Sequence, residues 1–485
     1  MLAVLASLAS LASLASSACA SFHELAASGD AGGAGGKDSA TDVAVPHDAT
    51  THEADVRTPE ASADVAQPPS DFACTKAWSS APGSGDPRCE GIRTVSLVAT
   101  GTVTVGGVSI ALTSAARLGI AYDTIAPVDA QGVQVATFVV PTTAAAPLMP
   151  TLVGIGFGEQ SHAGQAHAIA ASGAADVLHV VYVDEDEDEV LYRQIVAGGA
   201  TATATELVAT GVGAGSYVSL AASATGTVRA VYYVPSFGAV RSAARNAGGG
   251  FATPSEIVTG LVAGAPGVGQ SALTFDDQET PNVLFQSCPT AGFSTPTWVT
   301  FSGSWSLEKT IDNNVLNGFA GYSPSIVVSN ATKYASYFFV AANQTFQPTA
   351  ELHVASWQLA SDTPTVSIVD NAIPASDPAE DAGAVDFRFS AALAVDGFGL
   401  LHMVVVRPDA MNQIASVEYV RQTQSSGGSI TWLTDTIDEN ALGTDLTATA
   451  PNAFAAIVVD AAARPHIAYR SGKDGNVYYA TRFDR

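Results

Sequence analysis

The sequence predicts an all-β fold built from seven copies of one four-stranded unit. Three observations carry this expectation: a hairpin pattern that recurs seven times, a small-residue strand ahead of each copy, and a last copy that lacks one strand. Composition agrees. Hydrophobic residues make up 47% of the 485 residues and charged residues only 14%, with 44 Gly spread along the chain, which suits many short strands joined by tight turns.

The hairpin is clearest in "ARPHIAYRSGKDGNVYYATR" near the C-terminus, two alternating apolar runs around a Gly/Asp turn. The same plan appears in "DVLHVVYVDEDEDEVLYRQ", "GTVRAVYYVPSFGAVRSAAR", "GLLHMVVVRPDAMNQIASVEYVR" and "TKYASYFFVAANQTFQPTAELHVASW". Weaker copies are "ARLGIAYDTIAPVDAQGVQVATF" and "TPNVLFQSC". Aligned on Tyr122, Tyr182, Tyr232, Phe285, Tyr337, Val405 and Tyr469, the copies repeat at intervals of roughly 50 to 70 residues. Ahead of them run "SIALTS", "AIAAS", "VSLAAS", "SALTFD", "SIVVS", "AALAVD" and "AAIVVD", whose small side chains suit strands crowded around an axis. A fourth strand follows several copies, as in "ATELVATG" (204–211), "PSEIVTG" (254–260) and "WSLEKTI" (305–311). Four strands repeated seven times predict a seven-bladed β-propeller over residues 92–485.

Closure is predicted from the ends of that region. The last copy reaches "YYATRFDR" after three strands, whereas "TVSLVATG" (94–101) matches "ATELVATG" and precedes the first inner strand. The N-terminal strand is therefore expected to complete the last blade, which removes the exposed edges of a linear array.

Residues 1–19, within "MLAVLASLASLASLASSACAS", form an uncharged Leu/Ala/Ser run ending in small residues, the pattern of an export signal. "SSAC" makes Cys19 a candidate lipidation site, while Ala18-Cys19-Ala20 also fits cleavage by ordinary signal peptidase, and the run is barely long enough to remain as an anchor. Each alternative places the body outside the cytoplasm, on the outer membrane or cell surface or released. Residues 20–73 are rich in Ala, Gly, Ser, Asp and Pro without apolar periodicity and are expected to be a disordered tether, spanning about 40 Å root-mean-square. Residues 74–91 form a lead-in. In an oxidising compartment Cys74 and Cys89 are expected to pair, a loop worth about 3 kcal/mol, leaving Cys288 as a buried free thiol.

The net charge of −26, from 20 Lys and Arg against 46 Asp and Glu, excludes a nucleic-acid partner, because phosphate binding needs a basic footprint. Membrane contact is expected only through an N-terminal lipid. No HExxH, P-loop or Cys-rich metal motif is present, and "GQSAL" and "GYSPS" lack the second Gly of a nucleophile elbow. "GIGFGE" and "GVGAGSY" fall between repeats with no helix to follow, so turn chemistry rather than phosphate binding is expected.

Among candidate site residues the run Asp184 to Glu189 stands out. Extended geometry would place Asp184, Asp186 and Asp188 on one side, three oxygens that could begin a calcium shell; the alternative is a solvated hairpin turn, since calcium takes six to eight oxygens. His179, His402 and His466 each precede the aligned position by three residues, with Arg229 at the same place, and this repetition favours blade packing over a single catalytic site. Asp370, Asp377, Glu380, Asp381 and Asp386 could supply the carboxylate pair of a glycoside-cleaving site, and Glu159, His162 and His167 a weak metal set. In a propeller the second-to-third strand loop and the crossover to the next blade share one face. The acidic run and the long insertions therefore belong to one loop-rich surface, where a ligand is expected.

The repeats resemble bacterial exported β-propellers of the sialidase-like and lectin-like type, over roughly Ile92 to Arg485. The resemblance implies the architecture alone. In "SGKDGNVYY" Asp474 stands one place too late for a sialidase Asp-box, so no catalytic residue is carried over. The expectation is an extracytoplasmic binding or scaffold module for a carbohydrate or protein ligand, with no required cofactor and calcium as the one candidate ion. The alternative is a carbohydrate-active enzyme of hydrolase or lyase class.

Overall fold

In the computed structural model the described residues are 95–96, 107–124, 132–141, 148–157, 166–173, 176–196, 201–213, 217–262, 269–290, 293–312, 318–341, 349–361, 363–374, 390–408, 415–424, 430–442, 455–470 and 476–482. The export signal, tether and lead-in, with Cys19, Cys74 and Cys89, lie outside them.

Strands dominate. β1 is Val95–Ser96. There follow β2 (Val108–Leu112), β3 (Arg117–Thr124), β4 (Gly132–Val139) and β5 (Thr151–Phe157), then β6 (His167–Ala171), β7 (Val177–Asp184), β8 (Glu189–Val196) and β9 (Glu206–Thr210). Next are β10 (Val218–Ala222), β11 (Val228–Val234), β12 (Ala239–Ala244) and β13 (Ser255–Val258), then β14 (Ser271–Phe275), β15 (Pro281–Thr290), β16 (Phe293–Thr300) and β17 (Lys309–Thr310). The remainder are β18 (Gly318–Ser329), β19 (Thr332–Ala341), β20 (Thr349–Gln358), β21 (Thr365–Pro374), β22 (Ser390–Val395), β23 (Leu401–Pro408), β24 (Ala415–Gln424), β25 (Ile430–Leu442), β26 (Ala455–Val459), β27 (Pro465–Arg470) and β28 (Val477–Thr481).

These strands pair antiparallel in sequence order as β2-β3-β4-β5, β6-β7-β8-β9, β10-β11-β12-β13 and β22-β23-β24-β25. β14 to β17 and β18 to β21 repeat the pattern, and one parallel pairing, Ser294 with Phe319, joins the two into an eight-stranded sheet. The remaining sheet has the order β1-β28-β27-β26, with Val95 opposite Tyr479 and Ser96 opposite Tyr478. The chain is thus an all-β, propeller-like repeat protein. The first strands lie side by side: β2 against β6, β6 against β10, β10 against β14, β14 against β18, β18 against β22, β22 against β26, and β26 against β2.

Among the described residues the core is divided into apolar clusters that fill the spaces between successive units. One joins Tyr192 and Val208 to Leu220 and Tyr232. Another joins Tyr122 and Phe138 to Ala468 and Tyr479. The second strand packs on both faces, which explains its largely apolar sequence: all seven residues of β11 and all six of β27 are buried, including Arg229, His466 and Arg470. The sequence of the fourth strand is less faithful to its structure. "WSLEKTI" is a strand only at Lys309–Thr310, because Trp305 turns back to bridge Phe301. Cys288 lies within β15 and is buried.

Candidate functional site

β7 and β8 place the acidic run at the end of the sheets that carries the second-to-third strand hairpins. Asp184 pairs with Glu189 across the hairpin, and residues 185–188 form a turn between them. The extended alternation expected of Asp184, Asp186 and Asp188 is therefore interrupted: Asp184 closes the strand, Asp186 and Asp188 are exposed, and Asp188 takes a left-handed φ of 53°. The turn is held from within by the Glu187 N–H to Asp184 Oδ1, and from the segment after β9 by the Val212 N–H to the Asp188 carbonyl. Among the described residues no group of three His, Cys, Asp or Glu side chains is gathered to hold a metal ion.

The repeated histidines are internal. His179, His402 and His466 are buried, and the Nδ1 of each meets the hydroxyl of a third-strand tyrosine: Tyr192 at 2.5 Å, Tyr419 at 2.6 Å and Tyr479 at 2.6 Å. In the last two copies a turn aspartate adds a third member. Asp396 Oδ2 lies 3.3 Å from His402 Nε2, and Asp460 Oδ2 lies 3.3 Å from His466 Nε2. The same aspartates fold their own turns, Asp396 Oδ1 accepting from the Phe398 and Leu400 N–H groups, Asp460 Oδ1 from those of Ala462 and Arg464. Burial works to raise the Asp460 pKa, but the His466 and Arg464 bonds outweigh it and hold the carboxyl well below the usual range. These are strand-to-strand clasps. Arg229 at the equivalent position bonds Ser242 and lies 4.3 Å from the Phe301 ring centroid.

A second set of carboxylates joins unit to unit; Asp312 and Asp438 were missed in the sequence, and Asp370 was a candidate there for glycoside cleavage only. Asp312 follows β17, and Asp370 and Asp438 lie within β21 and β25, the fourth strands of three successive units; each reaches the second strand of the next. Asp312 accepts from the Tyr337 hydroxyl at 3.2 Å, Asp370 pairs with Arg407 at 2.9 Å, and Asp438 accepts from the Tyr469 hydroxyl at 3.3 Å. The signal was present: "TID" occurs at 310–312 and 436–438, and "IVD" at 368–370. The first of these carboxylates also meets His353, which Glu351 flanks on the other side. Tyr337 is fully buried and the His353 side chain only 7% exposed, so a polysaccharide could not reach either as a catalytic group.

Of the proposed glycosidase carboxylates only Asp370 is described, and Arg407 occupies it; Asp377, Glu380, Asp381 and Asp386 lie outside the described residues. His167 is buried, with Nε2 3.1 Å from the Ala121 carbonyl of the neighbouring sheet, while Glu159 and His162 are outside the described residues. No helix among the described residues is long and apolar enough to cross a membrane.

Fold and site together define a class, an all-β propeller-like protein whose buried polar groups bind its sheets to one another. No family model and no curated protein matches the chain. Solved structures do. A protein of unknown function from Dyadobacter fermentans is similar at 9% identity and a TM-score of 0.46, over 81% of this chain and 99% of that one. AofleA from Arthrobotrys oligospora is similar at 11% identity and 0.41, over 72% and 89%. A Hadza microbial sialidase is similar at 11% and 0.40, over 79% and 66%. At these TM-scores and identities none of the three carries a functional step for this chain.

Proposed function

We propose that the chain is an extracytoplasmic, seven-bladed β-propeller closed through Val95–Ser96, acting as a non-enzymatic binding or scaffold module. Its ligand, a carbohydrate or a protein, meets the end of the sheets that carries the acidic hairpin. Closure is supported by the pairing of β1 with β28 and by the contact of β26 with β2.

One observation carries the non-enzymatic reading. The described carboxylates and histidines that might be assigned to chemistry are engaged inside the fold, Asp370 with Arg407, Asp438 with Tyr469, and the repeat histidines with tyrosines. The opposite end is cinched by its own turns: Asp176 accepts from Thr113 and Arg117 of the preceding sheet, and Glu279 accepts from the Thr225 N–H and hydroxyl. Long connections for recognition are thus left to the hairpin-bearing end.

The test is a glycan and protein-ligand array probed with the exported protein, alongside turnover assays on the polysaccharides that score. Saturable binding without turnover is expected. Turnover abolished by one carboxylate change on that end would replace this reading with a carbohydrate-active enzyme. Calcium at Asp184, Asp186 and Asp188 is the accompanying metal proposal. If the ion is held there, a chelator lowers the melting temperature and the triple Asn variant removes the difference; no chelator effect assigns the turn to solvent.

A further inference from the structure

His353 differs from the repeat histidines in strand and in surroundings. It lies on β20, a third strand, and has a carboxylate on each side: Glu351 Oε2 is 2.8 Å from Nε2, and Asp312 Oδ2 is 3.4 Å from Nδ1. Glu351 belongs to its own strand, whereas Asp312 arrives from the end of the preceding unit's outer strand. On β19, Tyr337 stands opposite His353 and donates its hydroxyl to the same Asp312 oxygen at 3.2 Å, while Phe339 stacks on the imidazole at 5.7 Å. On the other flank β21 sets Ile368 opposite His353, and Asp370 of that strand is turned to Arg407. The charged groups facing the ring are therefore Asp312 and Glu351, with Tyr337 the titratable group beside them.

A neutral imidazole has one N–H and can donate to only one of two carboxylates; the imidazolium donates to both. We propose that Asp312, His353 and Glu351 form a pH-dependent clasp between the fourth and fifth units, closed when the ring carries both protons and loosened when it loses one. Among the described residues the two units share only the single Ser294–Phe319 backbone pairing, so protonation of the clasp changes how firmly one unit holds the next rather than the antiparallel pairing within either. Burial alone would lower the His353 pKa, but the Asp312 and Glu351 carboxylates outweigh it and hold it above the ordinary imidazole value. Stability from the clasp is accordingly present in full below the unfolded value of about 6.5 and lost as pH rises through the folded one.

The experiment uses the full chain labelled with ¹³C-histidine and titrated by NMR, the His353 resonance being identified by its absence in His353→Gln. Its midpoint is expected above that of an ordinary exposed histidine, and Glu351→Gln is expected to move it down. Amide exchange corrected for intrinsic rate is expected to be several-fold slower at pH 6 than at pH 8 around residues 309–311 and 350–354, and equal at the two pH values in His353→Gln. A wild-type midpoint at or below the ordinary value overturns the clasp, as does a pH-dependent protection that survives in His353→Gln. Should His353→Gln fail to fold, the resonance is identified by its response to Glu351→Gln, a half-exposed position, and the same midpoint criterion decides.

Discussion

His179 shows how one buried side chain couples this fold to pH. Burial and, secondarily, the Arg245 charge push its pKa down to about 4, and its Nε2 has no hydrogen-bond partner. The folded protein therefore holds the ring neutral, with the Tyr192 hydroxyl on Nδ1. Above the unfolded value of about 6.5 this has no consequence; between there and pH 4 the unfolded chain takes up the proton first and stability falls. A gap of that size is worth about 3 kcal/mol. Urea midpoints at pH 7 and pH 4.5 should drop less between the two conditions in His179→Gln than in the wild type. An equal drop would show that the ring titrates as an exposed histidine does. The sign is opposite at His353, where two carboxylates reverse the effect of burial.

At the scale of elements, the joints between units impose the tightest demands on sequence. Gly238 follows the single turn Pro235–Phe237 with a φ of 53°, and its carbonyl accepts from the Leu261 N–H. A Cβ built there would stand 2.1 Å from the Leu261 carbonyl oxygen, a backbone atom with little room to retreat. Gly226 also has a positive φ, 92°, but nothing lies within 4 Å of its Cβ position. Denaturation should therefore find Gly226→Ala costing about 1 kcal/mol, the left-handed penalty alone. Gly238→Ala should cost roughly 3 kcal/mol, since it adds the displacement of the next connection. Equal costs would mean that the Leu261 segment yields freely. The element least recoverable from the sequence was β17, whose apolar pattern "WSLEKTI" reads as a full strand while Trp305 instead donates its indole N–H to Ser255 of the preceding sheet.

For the whole molecule, the apolar interfaces between sheets make each unit depend on its neighbours. The interface of Phe138 with Tyr479, at 5.1 Å between ring centroids, ties the first unit to the last, and β1 adds its backbone to the outer edge of β28. Deleting residues 92–101 should lower the melting temperature of the whole domain and broaden the transition, because it uncovers that edge. An unchanged transition would show that the last sheet needs no fourth strand. Closure through a short N-terminal strand also predicts that the effect exceeds that of a deletion of equal length at 20–29.

Much of this was legible because strand period and turn composition are local properties. The second strands of the repeats, their hairpin partners and the small-residue first strands were placed by alternation and Gly/Asp turns, and the acidic run fell between β7 and β8 as expected. The repetition of His179, His402 and His466 pointed to packing, and the tyrosines that receive them lie 13, 17 and 13 residues further along the chain. What only the tertiary structure decided is which polar groups meet across units. Asp312 and His353 are brought together from two successive four-stranded units, and nothing in the local pattern of either segment records the other. The sequence by itself determined the repeat and its β class, since backbone pairing and burial follow from neighbours in the chain. The clasps that couple one sheet to the next came from three-dimensional packing, which sets the distance between charges that sequence spacing leaves undefined.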